Sequence, residues 1–292
     1  RRRWDATGCE GMKVLVFGAT GQVALELQKY AGVCALNRAF ADLSDPAACA
    51  GIIAATDADA VINAAAYTAV DAAEADEVLA MTINAEAPAQ LAKPAAERGI
   101  PFLHVSTDYV FGGDGTEALE VDTPTGPINA YGRSKLAGEI GVRQAGGNHA
   151  ILRTSWVFSA HGGNFVKTML KLGGTRDALN IVNDQIGGPT AASDIAACLM
   201  EMAAKMVTGQ KGGTYHFSGG PDVSWAEFAR EIFTQANLPV QVTGIPTAQY
   251  PTPAQRPLNS RLDCTALNAD FGIDRPNWKV SLAQVLRDLD WT

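Results

Sequence analysis

The sequence has no run of apolar residues approaching the roughly 18 needed to cross a bilayer, which excludes a membrane-spanning helix. It also has no excess of positive charge. A formal net charge of −8 argues against non-specific binding to nucleic acid or to a membrane surface. Cysteine is scarce and odd in number, five in all, with no CxxC spacing, so neither a disulfide framework nor a zinc site is expected. Cys34 and Cys198 sit among apolar residues and read as small buried hydrophobes, which suits a reducing cytoplasm. The histidines, His104, His149, His161 and His216, are scattered and suggest no metal ligands. The N-terminus opens on three arginines with no apolar stretch behind them, so it does not read as a secretory signal. Residues 1–11 read as an upstream extension or cloning remnant. No repeat or low-complexity block is visible.

What is present is ordinary globular composition over 292 residues, enough for one large domain with an appended smaller lobe. Short apolar runs, KVLVF at 13–17, 33–36, 61–63, 102–106 and 150–153, alternate with helical patterns at 22–30, 45–56, 83–98 and 129–143. Pro94 should kink or shorten the third of these helices. Strands separated by helices imply parallel βαβ units, and continuously apolar strands imply a sheet covered on both faces. The expected fold is α/β: a Rossmann-like, doubly wound parallel sheet over residues 12–155, with residues 156–292 supplying mainly a smaller substrate-binding lobe and returning some segments to the sheet. In that second part, helices are expected at 164–172, 193–207, 225–236 and 281–289, and strands at 179–182, 214–217 and 240–245. The stretch 246–257 holds four prolines and should be irregular.

The first strand runs into Gly18-Ala19-Thr20-Gly21-Gln22-Val23-Ala24. Glycines there let the chain turn sharply into a helix and approach a pyrophosphate, which the following helix N-terminus favours. The spacing is G-x-x-G-x-x-A, with Ala24 small enough for close helix–strand packing. Tyr131 and Lys135 stand at i and i+4, on one helical face. A phenol titrates near 10, too high for easy proton exchange at neutral pH, and a neighbouring ammonium would lower it. A phenol so tuned could protonate an alkoxide as hydride arrives from a nicotinamide. Ser106 and Thr107, at the carboxyl end of the fourth strand, could hydrogen-bond the same oxygen.

These stretches carry a family resemblance: FGATGQVALELQ (17–28), INAAAYTAVDAAE (62–74), STDYVFGG (106–113), NAYGRSKLAGE (129–139), LRTSWVF (152–158), DQIGGPT (184–190), FSGGPDVSWAEFA (217–229) and RPLNSRLD (256–263). Together they resemble the dTDP-4-dehydrorhamnose reductases, a branch of the extended short-chain dehydrogenases, over nearly all of residues 12–292. The resemblance implies a catalytic group of Thr107, Tyr131 and Lys135, with Ser106 beside the substrate and Trp156 bordering the sugar. It implies cofactor contacts from Gly18, Thr20, Gly21, Gln22 and Val23, with Ala64, Ala65, Ala66 and Tyr67 passing under the cofactor and Asp42 and Leu43 at the adenine. Tyr131 and Lys135 would touch cofactor as well, and Tyr131 the substrate. The chain departs from the family's pattern at Ala24, at Gly112 (often Asp) and at Tyr67 (often His).

Arg38 lies just past the second strand, where an arginine can pair with a 2′-phosphate, so NADPH is the expected cofactor, with NADH left open. Arg256 is a candidate for the diphosphate of a nucleotide sugar. Trp225 reads as a core aromatic at a helix start. The expected activity is reduction of the C4 ketone of dTDP-4-dehydro-6-deoxy-L-mannose to dTDP-L-rhamnose, by an enzyme that binds neither nucleic acid nor membrane. A homodimer is left open. Two alternatives stand beside this reading: an epimerase or dehydratase of the same fold, and a non-catalytic regulatory subunit. The intact Tyr131–Lys135 pair weighs against the second. Against a dehydratase, Thr107-Asp108-Tyr109 lacks the second carboxylate that proton abstraction and hydroxide expulsion would use.

Overall fold

The computed structural model describes residues 11–291. The reading of residues 1–10, and with it Cys9, lies outside the described residues.

The first half builds a sheet by alternation. β1 (Val14–Phe17) leads into α1 (Gln22–Leu27), β2 (Val33–Leu36), α2 (Pro46–Ala55) and β3 (Ala60–Asn63). α2 starts where Asp45 accepts from the Ala48 N–H and Pro46 occupies the first helical position, where a missing N–H costs nothing. Next come α3 (Val70–Ala75), α4 (Glu77–Met81), a π-helical turn at Thr82–Glu86 and α5 (Ala87–Glu97). α5 runs through Pro94 to Glu97, so the proline does not end the helix early. It lies in the last turn, and Gln90, whose carbonyl it deprives of a partner, is exposed. The irregularity in this stretch is the π turn, 12 residues before Pro94 at its start. β4 (Phe102–Thr107), α6 (Ala130–Ala145, capped by the Asn129 side chain) and β5 (His149–Thr154) complete the half.

Beyond β5 lie β6 (Val157–Phe158), α7 (Phe165–Gly173), β7 (Ala178–Val182), β8 (Ile186–Gly187), β9 (Thr190–Ala191) and α8 (Ala192–Val207). β10 (Thr214–His216), β11 (Val223–Ser224), α9 (Trp225–Gln235), β12 (Gln241–Ile245), β13 (Asn259–Ser260), α10 (Thr265–Phe271) and α11 (Trp278–Asp288) follow. α9 starts on a full capping box between Ser224 and Glu227. The proline stretch is irregular apart from one short turn.

The main sheet has the order β10-β5-β4-β3-β1-β2, with every pairing parallel. β10 thus returns from the second half to the sheet edge, and α8 packs on the same face as Val14, Val16 and Leu27. α2 and α5 cover the other face through Cys49, Ile53, Leu91 and Ala95. A separate core, built from Phe158, Leu170, Phe228, Ile232, Trp278 and Leu286, unites α7, α9 and α11. The chain runs from β1 outward to β2 on one side and from β3 through β4 to β5 on the other, so its order reverses between the neighbours β1 and β3. The strand ends carrying Gly18, Asn63 and Thr107 open there, where doubly wound sheets form ligand crevices. Among the described residues no helix is long and apolar enough to cross a membrane.

Candidate active site

At the carboxyl ends of these strands lies a cavity of about 640 Å³. The glycine turn forms one wall. Gly18 has φ +106, and a Cβ there would stand 3.2 Å from the Ala65 nitrogen, so the turn needs glycine to press against the loop after β3. At Gly21 a Cβ would meet nothing, since the residue faces open cavity. Gly18, Thr20, Gly21, Gln22, Val23, Ala64, Ala65 and Ala66 all line the cavity, as expected. Gln22 is spoken for on one side: its Oε1 accepts from the Ser159 hydroxyl (2.8 Å) and from the Asn164 amide (2.9 Å), tying the turn to the loop that carries Gly162 and Gly163 over the cavity.

The opposite wall is catalytic in character. Thr107, Tyr131 and Lys135, from β4 and α6, all line it. α6 approaches closely because Gly132 lacks a side chain: a Cβ there would lie 2.2 Å from the Tyr109 carbonyl oxygen. Thr107 Oγ donates to Asp108 Oδ1 (2.9 Å) and accepts from the Tyr109 N–H (3.2 Å). Asp108 is buried, its Oδ2 has no hydrogen-bond partner, and burial pushes its carboxyl up to about 6 against the pull of Ser260 and Thr107. Lys135 is buried too. Its Nζ donates to the Val105 carbonyl (2.7 Å) and lies 3.3 Å from His104 Nε2. Burial brings it down to about 8, partly offset by Glu139.

One expectation is corrected here. The sequence suggested that Lys135 lowers the Tyr131 phenol, but among the protein groups burial dominates and pushes the phenol up. The Thr107 hydroxyl opposes burial, while the Asp108 charge adds to it. The lysine amine is instead turned into β4.

Other expected residues are placed less directly. Ser106 lines the cavity, but its hydroxyl donates to Glu139 Oε1 (2.7 Å), a structural bond. Tyr67 packs against α6 beside Tyr131 and is outside the lining. Arg38, 75% exposed, pairs with Asp42 (3.0 Å) past the end of β2, away from the lining. Asp42 is held down to about 2 by the backbone and hydroxyl of Ser44 and by Arg38. Leu43 is buried under α2 in the sheet core, which its apolar side chain explains. Arg256 is outside the lining as well. Its guanidinium bonds Asp71 (2.9 Å) and the Ala254 carbonyl, pinning the proline loop to α3, so its charge is neutralised before it reaches the cavity.

Trp156 borders the cavity as expected, in a left-handed conformation with φ +49. Sequence reasoning missed its partner. Trp225, read as core, also lines the cavity and stacks on Trp156 with centroids 3.6 Å apart and planes 11° from parallel. Its Nε1 donates to Gln185 (3.1 Å), in the DQIGGPT stretch. The available signal was the capping box, which fixes Trp225 at the first turn of α9 and so at the lobe's rim.

Comparison with protein-family models matches residues 12–291 to the RmlD substrate binding domain. The chain belongs to the dTDP-4-dehydrorhamnose reductase family. The reductase of Sinorhizobium fredii is 43% identical over 286 residues, covering 94% of this chain and 97% of that one. Among solved structures, the family member from Clostridium acetobutylicum superposes with a TM-score of 0.89 at 36% identity, covering 96% of this chain and all of that one. The Bacillus anthracis reductase, solved in complex with NADP, gives a TM-score of 0.88 at 33% identity over 95% of this chain and 99% of its own. The chain is thus an oxidoreductase by family.

Proposed function

We propose that this chain reduces the C4 ketone of dTDP-4-dehydro-6-deoxy-L-mannose to dTDP-L-rhamnose with NADPH. The observation that carries the reading is the convergence of Thr107, Tyr131 and Lys135 with the glycine turn on one cavity, in a chain of this family. The residues fit a dinucleotide. Gly21 leaves open the space a Cβ would fill, and Ala64, Ala65 and Ala66 line the same cavity with small apolar side chains. Gly18, Thr20, Gly21, Gln22 and Val23 would hold the phosphates, and the relative solved with NADP supports the phosphorylated form. When bound, the nicotinamide supplies a hydride to the sugar carbon.

The chain's own part is to orient the ketone and deliver a proton. Tyr131, with its phenol kept protonated by burial, is the donor to the new oxygen. Thr107 can rotate its O–H from Asp108 towards that oxygen, sharing the developing charge. Lys135, from one turn further along α6, can turn a remaining N–H towards cofactor or phenol while keeping its bond to Val105. The Trp156–Trp225 stack gives an apolar wall for the deoxy sugar and helps exclude water. The cysteines Cys34, Cys49, Cys198 and Cys264 are free, in keeping with the cytoplasm this reading assumes.

The test is NADPH oxidation with the dTDP-linked ketosugar and with its GDP and UDP counterparts. A preference for the dTDP compound is expected. Equal or better turnover of another nucleotide would replace the substrate while leaving the reaction in place.

A further inference from the structure

Behind the catalytic lysine lies a buried chain of hydrogen bonds that the mechanism above does not use. Asn63 ends β3, His104 lies opposite it in β4, and the two are Cα partners in the sheet register. Both are buried, Asn63 at 1% and His104 at 0% exposure. Asn63 Oδ1 accepts from the Ala65 N–H (3.3 Å) in the cofactor-side loop. Asn63 Nδ2 is 3.2 Å from His104 Nδ1, and His104 Nε2 is 3.3 Å from Lys135 Nζ.

The roles in this chain follow from one fixed point. A backbone N–H can only donate, so the Asn63 atom facing Ala65 must be its oxygen. The amide nitrogen therefore faces His104 and donates to Nδ1. A neutral imidazole accepting at Nδ1 carries its proton on Nε2. That N–H points at Lys135. An ammonium has three donors and no acceptor, whereas a neutral amine can accept. Lys135 already donates to Val105.

We propose that Asn63 and His104 are positioning residues for Lys135: the Ala65–Asn63 bond fixes His104 as the Nε2–H tautomer, and this N–H orients the lysine and favours its neutral amine. The lysine is thereby wired through three hydrogen bonds to the loop that lines the cofactor side of the cavity. Any displacement of Ala65 reaches Lys135 through the tautomer it enforces. The other ionisable groups near Lys135 do not account for this. Glu139, one turn on in α6, raises the lysine rather than lowering it and is itself shared by Arg143 and Arg153. Tyr131, one turn back, is kept protonated by burial, and Asp108 lies across the same cavity. The role assigned to Lys135 rests on the proposed reaction, but the wiring does not.

The test reads the full chain without substrate or cofactor, so an error in the reaction class would leave its result standing. Side-chain nitrogen NMR of labelled histidine should show His104 as the Nε2–H tautomer across neutral pH. Asn63→Asp keeps the acceptor for Ala65 but turns an acceptor on Nδ1, so it should switch His104 to Nδ1–H. Nε2 would then accept from an ammonium. The titration of Lys135, followed through labelled lysine and assigned with Lys135→Arg, should rise by about one unit, tenfold in the neutral-to-charged ratio. Because the new carboxylate would itself raise a nearby ammonium, Asn63→Leu is the control: it removes the donor to Nδ1 without adding charge. In this variant His104 should lose its fixed Nε2–H tautomer and Lys135 should rise in the same direction. Unchanged signals in Asn63→Leu overturn the proposal. An Nδ1–H tautomer in the wild-type protein overturns the proposal. So does a switched tautomer that leaves the lysine titration where it was. Should N63D not fold, the wild-type tautomer alone decides.

Discussion

The Glu139→Ala substitution should be among the most destabilising single changes in the protein. Glu139 is fully buried on α6, one turn beyond Lys135. Its two oxygens accept from Arg153 at 2.9 and 2.8 Å, from Arg143 at 2.6 Å and from Ser106 at 2.7 Å. Arg153 has a side chain only 3% exposed, and without the carboxylate it keeps no anionic partner, only the Val121 carbonyl (3.1 Å), His216 Nε2 (3.3 Å) and the face of the Phe111 ring (5.0 Å). Breaking one side of a buried pair costs about 3–5 kcal/mol because a charge is left uncompensated. That is a fifth or more of a typical folding free energy, on the order of 5–15 kcal/mol. Urea denaturation should show a lower midpoint with an unchanged slope. Replacing both partners, Glu139→Leu with Arg153→Met, removes the stranded charge and should recover most of the loss. If Glu139→Ala lies within about 1 kcal/mol of wild type, or the double variant is no better, the pair does not hold α6 to β4 and β5 as described.

Further outcomes are expected at other positions. Burial alone would raise the Glu139 carboxyl, but Arg153, Ser106 and Arg143 outweigh it and hold it below the usual range. Its folded value being depressed, its contribution to stability is present above about pH 4.3 and lost as pH falls through the folded value. An acid titration of the melting temperature should show that loss in wild type and not in the double variant. Tyr131→Phe should lower kcat by two or more orders of magnitude with little change in NADPH affinity, as stopped-flow binding and turnover would report. Gly18→Ala places a Cβ 3.2 Å from the Ala65 nitrogen at φ +106, so it should cost about 1–3 kcal/mol and weaken NADPH binding, read by calorimetry. Arg38→Ala should reduce the preference for NADPH over NADH. Unchanged kcat/KM ratios would mean that Arg38 serves only its exposed pair with Asp42.

What could be read from the sequence was whatever is local. The glycine turn, the Tyr131–Lys135 spacing and the hydroxyls ending β4 are set by neighbours within a few residues, and the cavity brings them together. Most strands were visible because both faces of the sheet are covered, which makes them continuously apolar. Contacts made across the fold were not visible. Arg256 looks like a free phosphate ligand until Asp71, 185 residues away, takes its charge. Trp225 looks like core until α9 sets it against Trp156. The π turn at 82–86 left no mark in the helical period, yet it directs Asn84 to bond both Tyr67 and Ser134, tying the loop after β3 to the catalytic helix. His104 seemed one of four scattered histidines, and only the register of β3 against β4 places it between Asn63 and Lys135.

The central claim is that this cavity performs a single reduction rather than a dehydration or epimerisation. A dehydratase would need an acid–base pair behind Thr107. Asp108 is there, but Tyr109 follows it, and burial together with the Asp108 charge pushes that phenol far above neutral pH. The direct measurement follows NADPH and sugar together in one reaction. With dTDP-4-dehydro-6-deoxy-L-mannose the protein should consume NADPH in equal amount to the ketosugar, form dTDP-L-rhamnose, and leave dTDP-glucose untouched. Conversion of dTDP-glucose to its 4-keto-6-deoxy product with no net loss of NADPH would contradict the account.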